Sequence, residues 1–206
     1  MMRKIAVLTL VLLAAAGCSD NQNNDTRGAT GPKLATSLQE MFGQALKRPG
    51  LSDFERSTIT QAIKTGKISQ TDYEDAHSRY AQCMKDSGVN ETYTKLSSGL
   101  YEIHPPLLTT QDAGEHYKTV SDKCFDGMFT VEILYQTQQT NPELLADQYE
   151  LVTRCLVKAG VAPADYSAVS FQADLKGNFS KAPYQVSNVR AHECLWSAGF
   201  AIVSGT

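Results

Sequence analysis

Cys83-Met84-Lys85-Asp86-Ser87-Gly88-Val89 reads as the end of a helix, and the chain repeats that ending twice. The repeats are Cys155-Leu156-Val157-Lys158-Ala159-Gly160-Val161 and Cys194-Leu195-Trp196-Ser197-Ala198-Gly199-Phe200. In each, a cysteine is followed by four residues, a glycine and an apolar residue. A glycine in that place serves as a left-handed cap, because it carries no Cβ. The cysteine then lies about one turn before the stop, on the face that faces inward. Upstream of Cys83, Tyr73, Ala76, Tyr80, Cys83 and Met84 recur at spacings of three and four, and Ser69 with Asp72 caps the start. Asn141-Pro142 stands as far before Cys155 as Ser69-Gln70 stands before Cys83. Asparagine caps and first-turn prolines start helices well. The recurring unit is therefore a helix of about four turns, stapled near its end by a cysteine.

Working outward, Ser37 and Glu40 frame a helix over residues 38–47, stopped by Pro49-Gly50. Ser52 and Glu55 open a second, which ends at Gly66. Threonine and tyrosine enrichment around Ser97-Ser98-Gly99 predicts a β-hairpin over residues 91–104. One long helix is expected over 111–139, with Gly127 costing it about 1 kcal/mol and marking a close crossing. A short helix over 163–175 and a last one over 183–198 follow, and residues 200–203 are expected to add a strand to the hairpin. The fold class is mainly α: a compact helical domain over residues 35–206 with a minor hairpin.

The first residues carry a different message. Met1-Met2-Arg3-Lys4 is a short positive stretch, and Ile5 to Ala16 is apolar but for Thr9. Twelve residues are too few to span a bilayer, which takes about 20. They suit the apolar part of a signal peptide. Ala14-Ala15-Ala16-Gly17 then leads into Cys18. This stretch resembles the bacterial lipobox, in which the cysteine becomes the new N-terminus and carries lipid. It departs from that pattern at Ala15, where leucine is preferred. Ala14-Ala15-Ala16 also reads as a site for the ordinary signal peptidase, which would release a free chain. The expected division is a signal peptide over 1–17, then lipidated Cys18 with a flexible tether over 18–34. Ser19 to Lys33 has no apolar periodicity, as a tether requires.

Of 19 Lys and Arg, removal of Arg3 and Lys4 leaves 17 against 22 acidic residues, a net charge of −5. An acidic chain without a basic cluster argues against nucleic acid as a partner. Cys83, Cys124, Cys155 and Cys194 make an even count, which in an exported protein predicts two disulfides. Three pairings exist. Sequential pairing, Cys83 with Cys124 and Cys155 with Cys194, is favoured because it closes two loops of similar size. Reduced, buried cysteines are the alternative. No C-x-x-C occurs, so a metal or redox role finds no support.

Residues 51–89, from Leu51-Ser52-Asp53-Phe54-Glu55-Arg56 through Ile68-Ser69-Gln70-Thr71-Asp72-Tyr73 to Tyr80-Ala81-Gln82-Cys83-Met84 and Gly88-Val89, resemble small exported lipoproteins of actinobacteria and their relatives. Tyr117 to Tyr135 follows the same pattern loosely. The resemblance implies the cell envelope and a membrane partner. It supplies no catalytic residue, because no activity is established for that group.

Other chemistries fit poorly. Around Gly66, the ligand positions of a calcium loop would be Gln61, Ile63 and Thr65, none a carboxylate. His77, His104, His116 and His192 form no helical zinc motif. His192 precedes Cys194 by two residues, which puts them on different sides of a helix. Glu74 with Asp75, and Glu143 with Asp147, lie on polar faces and read as solvated surface. Tyr93, Tyr101, Tyr117, Tyr135, Tyr149, Tyr166, Tyr184 and Trp196 read first as half-buried core and second as a carbohydrate or peptide surface. The expected function is non-catalytic binding or scaffolding of an envelope protein or polymer, without cofactor or metal. An enzyme acting on envelope polymers through unlocated carboxylates is the alternative.

Overall fold

The computed structural model describes residues 31–200. The signal peptide, Cys18, most of the tether and the strand expected beyond Phe200 lie outside them. The described residues form eight helices and one two-stranded hairpin. None of these helices is long and apolar enough to cross a membrane.

All three glycine stops close in the same way. Gly88, Gly160 and Gly199 take φ of 80°, 67° and 81°. The amide after each glycine reaches back to the residue after the cysteine. Val89 N donates to Met84 O at 2.9 Å, Val161 N to Leu156 O at 2.9 Å and Phe200 N to Leu195 O at 2.8 Å. This is the Schellman closure, which satisfies carbonyls that the helix end would leave bare. Met84, Leu156 and Leu195, one residue past each cysteine, are all fully buried.

The starts of these units differ from one another. Helix α3 (Gln70–Asp86) begins at Ser69 with the expected reciprocal cap. Helix α6 (Gln148–Lys158) begins later than Asn141-Pro142, because Asp147 caps it. Asn141 is occupied elsewhere: its side chain donates to Leu145 O and accepts from Leu145 N, both at 2.8 Å. That pair fixes a turn, with Leu144 at φ 56°. Helix α8 (Val189–Ser197) likewise waits for its cap, Asn188. The short helix α7 (Ala168–Lys176) starts at Ser167, after a turn in which Tyr166 N donates to Pro163 O.

Helix α1 (Leu38–Leu46) keeps the Ser37 cap, but Glu40 reaches past it to the amide of Thr36 at 2.8 Å. Helix α2 (Asp53–Thr65) carries the full reciprocal cap of Ser52 and Glu55. The expected long helix is two, α4 (Gln111–Phe125) and α5 (Phe129–Thr140). Gly127, at φ 80°, breaks them apart. Ser52 Oγ donates to Gly127 O at 2.6 Å, and a Cβ on Gly127 would stand 3.2 Å from that of Ser52. The close approach foreseen at Gly127 is therefore made by a turn. The start of α5 lacks a cap of its own. Glu55 supplies one, accepting from Thr130 N and from Ser52 N, both at 2.9 Å. A single buried carboxylate thus caps two helices. Burial pushes its pKa up, but those amide donors outweigh this and hold it below the usual value.

The strands β1 (Thr92–Lys95) and β2 (Tyr101–His104) pair antiparallel, with Thr92 opposite His104. Two cores result. Phe42, Ile59, Tyr73, Tyr80, Met84 and Val131 centre the first, built from α1 to α5 and the hairpin. Val152, Leu156, Phe171 and Leu195 centre the second, built from α6 to α8. Each core holds one disulfide: Cys83–Cys124 ties α3 to α4, and Cys155–Cys194 ties α6 to α8. Packing begins before residue 35. Ala146 N donates to Pro32 O, Lys33 bridges to Leu145, and Leu34 N donates to Leu144 O.

Candidate functional site

A cleft of about 380 Å³ lies where the two cores meet. Helix α6 contributes Leu151, Arg154, Cys155 and Lys158 to its wall, and α8 contributes Arg190, Glu193, Cys194 and Ser197. Both sets follow the three- and four-residue spacing of a single helix face. The disulfide Cys155–Cys194 joins the two walls. The hairpin turn, through Ser97 and Ser98, and the segment after α5 close the remaining sides.

The acidic groups of this cleft are engaged. Arg154 Nη1 donates to Glu143 at 2.6 Å, and its Nε donates to Glu150 at 2.7 Å. Glu193 accepts from Ser97 N at 3.1 Å and from Ser97 Oγ at 2.5 Å, which ties α8 to the hairpin. The cations are less committed. Lys158 and Arg190 are exposed, and Arg190 donates only to the carbonyl of Ala159, at 3.0 Å. Ser98 Oγ is buried at the rim without a partner. The result is an apolar floor with two cationic groups available at the mouth, a setting for an anionic or acceptor-rich ligand.

Residues singled out in the sequence scatter rather than converge. Glu143 pairs with Arg154 across 2.6 Å, while Asp147 spends its carboxylate on the amides of α6. Glu74 pairs with Lys95, and Asp75 with Arg79, on exposed faces. Gly66 is a helix cap at φ 81° between α2 and α3. His192 lies 3.4 Å from Glu102 on β2, and His104 lies 2.9 Å from Thr94. Among the described residues, no three His, Cys, Asp or Glu stand together as a metal would require. The tyrosines and Trp196 are buried or half-buried, packed into the two cores.

Two acidic residues escaped the sequence reading. Glu91 accepts from three tyrosines: Tyr80 at 3.0 Å, Tyr93 at 2.8 Å and Tyr117 at 2.6 Å. Burial and this carboxylate raise the tyrosines, Tyr80 to about 12. His77 stacks on Tyr101 at 4.0 Å beside them, and burial lowers its pKa. The donors to Glu91 come from α3, β1 and α4, so no local pattern announces it. Glu132, on α5, is raised by burial to about 7, and its Oε1 has no partner. Its place between apolar Val131 and Ile133 was the only sequence signal.

The chain matches no family model, no curated protein and no solved structure.

Proposed function

We propose that the chain is an exported lipoprotein, anchored through acyl chains on Cys18. Its folded part binds a protein or polymer of the cell envelope at the outer face of the membrane. The leader over residues 1–17 supports export, and the two disulfides fit an oxidising compartment. The cleft between α6 and α8 carries the binding reading. Its carboxylates are tied into an ion pair with Arg154 and hydrogen bonds to the hairpin turn, which suits holding a ligand better than turning one over. Lys158 and Arg190 are the groups that would meet the partner's acceptors.

A catalytic reading keeps one observation in its favour. The carboxyl of Glu132, raised to about 7, has the acidity expected of a general acid. Glu132 does not line the cleft, however, and no second carboxylate is bonded to it.

Cross-linking in intact envelopes, followed by capture of the native chain, tests the binding reading. One recurrent partner is expected, lost when Lys158→Ala and Arg190→Ala are combined. Equal capture by the double variant would remove the cleft from the account.

A further inference from the structure

Helix α5 is apolar on two sides. Val131, Leu134 and Tyr135 face the core, yet Phe129 and Ile133, one turn apart, are 51% and 41% exposed. The outer side of a surface helix is ordinarily polar. Leu34, 49% exposed, lines the same shallow groove as Ile133. Single exposed apolar residues such as Leu107 or Val169 are ordinary on any protein. Here three converge.

Their position gives the convergence a meaning. Leu34 is fixed against the body through Leu144 O at 2.8 Å, and Lys33 through Leu145. This is the corner at which the residues following Cys18 join the folded part. Whatever conformation they take, they span at most about 55 Å between Cys18 and Leu34. The Leu34, Ile133 and Phe129 face therefore lies beside the point where the chain leading from Cys18 enters the folded body. The exposed cations Lys33, beside Leu34, and Arg48 and Lys123, in the groove that holds Phe129, flank it. Of the three acidic groups there, Asp122 is paired with Lys118, Glu55 is buried on the amides of Ser52 and Thr130, and Asp126 is the third.

The geometry points to a membrane-docking face: Leu34, Phe129 and Ile133 rest on the phospholipid surface that holds the anchor. This rests on the lipid-anchor reading and adds an orientation to it. The cleft between α6 and α8 is then presented at a set height and angle. The acyl chains supply the retention, and the small apolar contact adds an orientation that a multi-chain anchor alone does not set.

Hydroxyl-radical footprinting of the full-length mature lipoprotein, reconstituted on vesicles of phosphatidylglycerol and phosphatidylethanolamine, tests this. The Cys18→Ser chain, free in buffer, is the reference. Oxidation of Phe129 and Ile133 is expected to fall about threefold on vesicles, with Leu107 and Val169 unchanged. A Phe129→Ser/Ile133→Ser variant should still sediment with the vesicles but lose the protection of Leu34. Full oxidation of Phe129 and Ile133 in a chain that does sediment would overturn docking and leave the anchor intact. A native chain that stays in the supernatant would overturn both. Protection already present in the free reference would assign the face to a second copy of the chain and overturn docking.

Discussion

At the scale of single residues, Glu55 and Glu132 show how burial decides differently for two carboxyls. Glu55 is among the most buried charged groups, yet two backbone amides hold it ionised. Glu132 has no such donors, and its Oε1 is buried bare. A folded pKa of about 7 lies above the ordinary 4.5, so the folded state favours the proton. Its contribution is fully present below pH 4.5 and is lost as pH rises through 7. Glu132→Gln is therefore expected to stabilise the protein at pH 8 by on the order of 2 kcal/mol, with little effect at pH 4.5. Urea denaturation at the two pH values measures it. An equal shift at both would mean that the carboxyl is not strained by burial.

At the scale of elements, the break between α4 and α5 is the feature on which the first core turns. Gly127 combines a left-handed backbone with the contact to Ser52. Gly127→Ala should cost about 1–2 kcal/mol, because both the dihedral and the spacing oppose a methyl group. Gly88→Ala, at φ 80° with open space around it, should cost less, and thermal melts of the two variants order them. Helix stops were legible in the sequence because the Schellman closure involves only neighbours. Glycine, the apolar residue after it and the buried residue after the cysteine all lie within six positions. Starts were less legible. Asn141 looks like a cap, but its amide is held by Leu145, and Asp147 takes the role instead. The long helix over 111–139 read as continuous because its apolar stripe does continue. What interrupts it, Ser52 and Glu55, sits some 75 residues away. The cage around Glu91 was hidden for the same reason, and so was the cleft, whose walls come from helices far apart in the chain.

At the scale of the whole molecule, two small cores are each stapled once and then joined by a few polar ties and one aromatic contact. Each disulfide closes a loop of about 40 residues, and in the chain-entropy view contributes roughly 4 kcal/mol by restricting the unfolded chain. Cores of this size gain most from such a restraint. Between them, Glu193 reaches the hairpin turn, His192 faces Glu102, and Trp196 packs into the first core. The cleft forms along that seam. The proposed place, orientation and partner all depend on Cys18 carrying lipid. The most direct measurement is the mass of the N-terminal peptide from the chain extracted from its native membrane. The account predicts a chain that starts at Cys18 and is heavier by a thioether-linked diacylglyceryl group. A first residue other than Cys18, or a free Cys18 thiol, would contradict it.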